Sequence, residues 1–330
     1  MPLSLKTWSV VTPAFLVMAL VLSLHTMPYR GYAMNAAADG SPEQLARGVA
    51  ALPFQYRSLV PTMARLLTSD RAASAASLKT RYWWLEFLAL VSLGVAYRRY
   101  LAYFIRERAV SSVLALSLYA ILPFNYRDQP FYPYDTPSIL FFTVGLILIL
   151  ERKWLLFYPL FVFATLNRET SIFLAAMTGL IGFTRPTLGR TAAHVLAQCC
   201  LWIVIKWGLF EMYRNSPVLG FGMFQLQLGM NVALVLRNPW LASTALSTWG
   251  FLWIPVLVWQ QRIPHPALRL SLWIVPVFVA SMMVVGVMTE RRIYGELVPV
   301  VLTGALVIFV DLMKGSLTAT PDLLRHDSET

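Results

Sequence analysis

The chain has 330 residues, 58% hydrophobic and only 13% charged, with a mean hydropathy of +0.61. A soluble domain carries about a quarter charged residues and does not gather its apolar residues into bilayer-length runs, so the composition argues against a soluble single-core enzyme. The net charge is +11, yet there is no arginine-rich tail or aromatic-basic RNA motif; positive-inside loops and anionic headgroups account for the excess, and nucleic acid is set aside as a partner.

Taken in chain order, the first apolar run covers 10–24 and lacks a small-x-small cleavage site after it, which predicts an uncleaved first span. The stretch 27–80 is the longest connection. Within it, 42–51 and 58–67 carry helical patterns with apolar residues on one side, separated by Pro53, and predict two short amphipathic helices on the outer membrane surface. Apolar runs centred near Ala19, Leu90, Ala115, Val144, Val162, Ala175, Leu201, Leu252, Val277 and Leu306 predict an all-α polytopic transmembrane bundle of about ten spans over 1–314, followed by a polar cytoplasmic tail at 315–330. An even count puts both termini on one side. Arg98, Arg99, Arg106, Arg108, Arg152, Lys153, Arg185, Arg190, Arg262, Arg269 and Lys314, with Lys6, make that side the cytoplasm.

Three runs, 136–150, 154–166 and 171–184, are shorter than the roughly 20 residues that cross a bilayer. The preferred reading is two helices meeting at Asn167-Arg168-Glu169-Thr170-Ser171, with Asn167 as a cap, Glu169 in the first turn, and the helix ends facing a water-filled cavity. The alternative is one long pass over 154–184 with Arg168 and Glu169 at mid-membrane. Cys199 and Cys200 are adjacent within an apolar run and point in different directions on a helix, so they predict neither a disulfide nor a metal pair. His25, His194 and His265 are isolated and His326 lies in the tail, so no metal site is expected of these types.

With this topology the polar clusters fall at span ends on the outer face: Tyr29-Arg30, Tyr56-Arg57, Asn125-Tyr126-Arg127-Asp128, Tyr132-Pro133-Tyr134-Asp135-Thr136-Pro137, Asn167 to Thr170, and Glu290-Arg291-Arg292-Ile293-Tyr294-Gly295-Glu296. Each has an ordinary reading. Tyrosines at span ends form interfacial belts, Arg168 and Glu169 pair, and Asp135 caps a helix that Pro137 opens. Together they read as a site. Arg57, Arg127, Arg168, Arg291 and Arg292 offer forked donors that match phosphate oxygens. Asp128 and Asp135 are placed to take a proton from an attacking hydroxyl or to hold a divalent cation, the one cofactor this set would accommodate. Glu169, Glu290 and Glu296 orient the arginines, and Tyr134 and Tyr294 offer stacking faces.

The first span with its long outer loop, the stretch PFQYRSLVP at 53–61, the boundaries YPYDTP and LNRETS, and the late ERRIYGELVP resemble the GT-C superfamily of integral-membrane glycosyltransferases over most of the chain. The resemblance implies a minimal, membrane-only member in a bacterial inner membrane. Its partners would be the lipid bilayer, a polyprenyl-phosphate-linked sugar donor, and an extracytoplasmic glycan, lipid or protein acceptor. The family places an acid soon after the first span. Here the first is Asp39, so Asp39 joins Asp128 and Asp135 as a candidate catalytic residue. Three other functions fit the same residues: an O-antigen-polymerase-like enzyme, a transporter or flippase of an anionic lipid or solute, and a non-catalytic membrane subunit.

Overall fold

The computed structural model describes residues 5–29, 40–67, 75–127, 129–182, 188–218 and 226–318. Helix α1 (Leu5–Tyr29) is followed by α2 (Pro42–Arg47), α3 (Leu59–Leu66) and the long α4 (Ala75–Leu101). The first connection is thus shorter at both ends than the sequence predicts. Helix α2 forms where its signals say it should. The Ser41 hydroxyl accepts the Gln44 N–H at 3.2 Å, Pro42 sits in the first turn, and Gly48 closes the helix with φ +76, a conformation glycine adopts without penalty. Its apolar face and that of α3 differ from expectation, because they turn inward. Ala46, Val60 and Ala64 are buried against Leu78, Tyr82 and Phe131, and the Tyr82 hydroxyl donates to the Pro42 carbonyl at 2.8 Å.

The chain continues through α5 (Arg108–Leu114), α6 (Ser117–Tyr126), α7 (Asp135–Leu150), α8 (Trp154–Asn167), α9 (Ile172–Gly182) and α10 (Leu188–Met212). It closes with α11 (Leu228–Arg237), α12 (Pro239–Leu246), α13 (Trp253–Trp259), α14 (Pro266–Ser271), α15 (Ile274–Val285) and α16 (Val298–Thr318). The protein is all-helical, with no strand among the described residues. Among those residues, four helical stretches are long and apolar enough to cross a membrane: Arg108–Tyr126, Leu188–Met212, Pro266–Val285 and Arg291–Lys314. Shorter apolar helices stand at Thr12–His25, Asp135–Leu150, Trp154–Asn167, Glu169–Gly182 and Leu228–Arg237.

Helix α7 lies at the centre, between α4 and α8. It is apolar nearly all round, which suits a helix buried on every side, and its 16 residues span about 24 Å at 1.5 Å per residue. The stretch ending in α16 is also interior, with 83% of its apolar window buried, whereas only 11% of the α10 window is.

The direction of each helix follows from its cross-links. Along α10, Trp202 Nε1 meets the Glu169 carbonyl at 2.9 Å, Gln198 meets Thr178 at 3.2 Å, and Thr191 meets Gly182 at 2.9 Å, so α9 and α10 are antiparallel. Tyr158 on α8 meets His194, which makes α8 parallel to α10. The chain therefore reverses at Arg168, and 154–182 is two helices. Asn167 does not cap the second of them. It ends α8, and its Nδ2 donates to the Tyr134 carbonyl at 3.0 Å and to Ser138 Oγ at 2.8 Å, tying α8 to the start of α7.

Polar groups collect at the two ends of this bundle. At one, Arg99, Tyr103 and Lys153 surround Glu151, Arg262 pairs with Asp311 and Lys314 with Glu107, each at 3.3 Å, and His265 meets the Phe104 carbonyl. At the other end lies the candidate site.

Candidate functional site

Three turns bring the arginines together: the segment after Pro53, the reversal at Arg168, and the 3-10 helix Arg291–Leu297 that leads into α16. The start of α7 lies between them. Asp135 opens α7 without capping it, since Tyr134 is the cap residue and no side chain satisfies the first amides. The Asp135 carboxylate turns instead to the arginines. Its Oδ1 lies 3.4 Å from Arg292 Nη1 and 3.7 Å from Arg168 Nη1, and all three side chains are at most 3% exposed.

Arg168 reaches a second carboxylate, Glu296, at 3.8 Å, and Glu296 also accepts the Thr170 hydroxyl. Arg292 pairs at 2.8 Å with Glu290 and lies 4.1 Å over the Tyr132 ring, a cation-π contact. Arg57 forms a fork on Glu169, with Nε at 3.2 Å from Oε2 and Nη2 at 2.5 Å from Oε1, and donates to the Tyr134 hydroxyl at 2.7 Å. Burial alone would pull the Arg57 guanidinium down, but Glu169 and Tyr134 hold it above its ordinary value. Burial pushes the Tyr132 phenol up to about 12 and raises Tyr134 as well, so both hydroxyls keep their protons at neutral pH. Arg291 donates to Ser247 Oγ at 3.1 Å and to the Arg127 carbonyl at 2.5 Å.

The sequence-predicted residues thus divide. Arg57, Tyr134, Asp135, Arg168, Glu169, Glu290, Arg291 and Arg292 form one cluster. Arg127 is exposed and enters it through its backbone carbonyl. Tyr294 is buried against Trp249 and Phe278, in the wall behind the charges. Asp39, Asp128 and Arg30 lie outside the described residues. Tyr132 and Thr170, members of the polar clusters without an assigned role, lie beneath Arg292 and on Glu296, and Trp202, outside those clusters, donates to the Glu169 carbonyl. The apolar run of α10 carries no local signal for Trp202.

The expectation of a recessed cavity is modified. The charges close on one another, and beneath Arg168 and Glu296 there is a niche of about 10 Å³, lined also by Ser138 and Ser171, with room for about one water. The pairing is incomplete. Arg168 Nε, Arg292 Nε and the Lys206 ammonium are buried and have no hydrogen-bond partner among the described residues, and neither does Glu296 Oε2. Unsatisfied buried donors are costly and call for an acceptor. The cluster reaches solvent at its rim, where the side chains of Glu169 and Glu290 are 40% and 38% exposed. Among the described residues no three His, Cys, Asp or Glu side chains converge as a metal-binding group. Compared with family models, with curated proteins and with solved structures, the chain matches none.

Proposed function

We propose that this is an integral membrane protein crossing the bilayer about ten times, with both termini cytoplasmic, in a bacterial inner membrane. We further propose that its arginine cluster transfers a sugar from a polyprenyl-phosphate donor to an extracytoplasmic acceptor. The segregation of polar groups to two ends of an otherwise apolar bundle supports the crossing. The cluster supports the chemistry through one observation: Arg168 Nε and Arg292 Nε are buried without a hydrogen-bond partner among the described residues, and Arg292 is paired with Glu290, whose side chain reaches the rim.

Donor phosphate would compete with Glu290 for Arg292 Nη2. Two charge-assisted bonds of similar strength are exchanged, so the ligand gains the orphan Nε donors at little cost. Glu290 is then free at the rim as a base. The acceptor hydroxyl attacks the anomeric carbon, its proton passes to Glu290, the bond from that carbon to the phosphate oxygen breaks, and polyprenyl phosphate leaves with inversion. Arg168 and Arg292 stabilise the charge that grows on the leaving oxygen. Asp135, at 3.4 and 3.7 Å from the Arg292 and Arg168 guanidinium groups, is a positioning group for both.

Mass spectrometry of lipids retained by the gently purified protein tests this. Enrichment of polyprenyl phosphate over the bulk membrane, lost in Arg292→Lys, is the expected result; ordinary phospholipid alone would remove the donor assignment. A transport reading draws on Lys206, an unpartnered ammonium within α10. It predicts uptake of the anionic lipid into proteoliposomes with no chemical change.

A further inference from the structure

Helices α11 and α12 are too short to cross a bilayer. Their 10 and 8 residues reach about 15 and 12 Å, against a hydrocarbon core of about 30 Å. Neither is a soluble cap. On α11 the residues Leu228, Val232, Val235 and Leu236 recur at i, i+4, i+7 and i+8 and are all exposed, Leu236 to 76%; on α12 Trp240 is 84% exposed. A contiguous apolar face of this kind is expensive in water.

The pair is fastened to the arginine segment at both ends. Asn231, fully buried on α11, donates through Nδ2 to the Met283 and Gly286 carbonyls, each at 2.8 Å, and accepts the Met288 N–H at 3.1 Å, so every polar atom of its side chain is used. Just before it, the Gln227 N–H meets the Val284 carbonyl at 2.7 Å. Past the end of α12, Ser247 Oγ accepts Arg291 Nη1 at 3.1 Å. The pair therefore straps the stretch 283–291, which delivers Arg291 and Arg292 to the cluster.

We infer that α11 and α12 form a paddle that seats its apolar face in the outer lipid interface and, through Asn231 and Ser247, holds the Arg291–Arg292 segment in register with the membrane surface. The occupant of the face is the acyl-headgroup boundary of the bilayer. Three observations select it over a protein partner. The face lies at the end of the bundle that carries the cluster, it adjoins the exposed Val285 at the end of α15, and Arg237 closes α11 with a cation suited to lipid phosphate. The consequence is that a substrate's headgroup meets Arg292 at a depth set by the lipid itself.

This inference rests on the membrane reading but not on sugar transfer. Spin labels introduced by Leu236→Cys and Trp240→Cys, with Cys199→Ala and Cys200→Ala, are compared in lipid nanodiscs with a control label at Ile203→Cys on the exposed face of α10. Labels at 236 and 240 that collide with oxygen and are shielded from a water-soluble nickel chelate are expected. Nickel access at 236 and 240 with Ile203 shielded overturns the paddle alone; nickel access at all three overturns the membrane reading with it. Shielding from both quenchers means a protein contact, and also overturns the paddle. The strap is tested by a label at Val287→Cys, whose mobility should rise in Asn231→Ala, or in Ser247→Ala if the former does not purify as a single species. Unchanged mobility in the variant that purifies overturns the strap.

Discussion

Asp135→Asn removes one buried charge while keeping the side chain's shape, which makes its cost readable from geometry. The Arg292 and Arg168 Nη1 atoms lie 3.4 and 3.7 Å from the same carboxylate oxygen, which bounds their separation at about 7 Å. Without the carboxylate, two unit charges at that distance repel by about 2 kcal/mol at an effective dielectric of about 20. The attractions lost are larger in gross terms, but Glu290 and Glu296 still reach the arginines and return part of them. The net should fall near 3 kcal/mol, at the low end of the 3–5 kcal/mol (about) for breaking a buried pair. Thermal unfolding of the detergent-solubilised protein, followed by tryptophan fluorescence, should show the midpoint fall by several degrees. Asp311→Asn, which breaks the Arg262 pair with both side chains about half exposed, should cost less than ~1 kcal/mol. Equal shifts in the two variants would refute the reasoning that burial, and not mere pairing, sets the cost.

Arg168→Lys keeps the charge near Asp135 and Glu296 but loses the planar fork, so transfer should drop by at least about tenfold with the unfolding midpoint nearly unchanged, read by paired activity and melting curves. Burial alone would raise the Glu151 carboxyl, but hydrogen bonds from Lys153, Tyr103 and Arg99 hold it down to about 2. A depressed carboxylate contributes stability above its unfolded pKa of about 4.3 and loses it as pH falls toward the folded value. Glu151→Gln should therefore melt below wild type at pH 7, with the gap narrowing below about pH 4 and closing near pH 2. At Gly94 an added Cβ would overlap the Tyr119 hydroxyl and the Phe15 ring, where α1, α4 and α6 cross; Gly94→Ala should cost about 1–3 kcal/mol of overpacking, measured by the same melts.

How much of this was legible in the sequence depended on range. The helices α4, α7, α8, α10 and α16 follow from apolar runs, and the reversal at Arg168 from a polar quintet between two short ones. The apparent span near Leu252 behaves differently. Trp249, Gly250 and Phe251 take φ of 57, 60 and 63, breaking the run into a short turn and the seven-residue α13. Left-handed backbone costs a non-glycine residue about 1–2 kcal/mol. It is sustained here by the Trp249 N–H on Asn125 Oδ1 at 3.0 Å and its indole N–H on the Tyr294 carbonyl at 2.9 Å. Neither partner is visible from the local sequence. The role of Asp135 is similar. Locally it reads as a helix cap, but Arg168 and Arg292 arrive from 33 and 157 residues away and outbid the helix amides. Helices α11 and α12 carry no bilayer-length apolar run, because Asn231 and the Arg237-Asn238-Pro239 break interrupt their apolar pattern.

The central claim is that the cluster around Asp135 acts on the phosphate of a lipid-linked sugar. Membranes from a strain lacking the gene, supplied with the purified protein and a polyprenyl-phosphate hexose tritiated in the sugar, test it most directly. The account predicts that label moves from the lipid to an acceptor and that polyprenyl phosphate is released in equal amount, with both lost in Arg168→Lys and Arg292→Lys. Label that stays on intact donor with wild-type protein, across a panel of such hexoses, would contradict it.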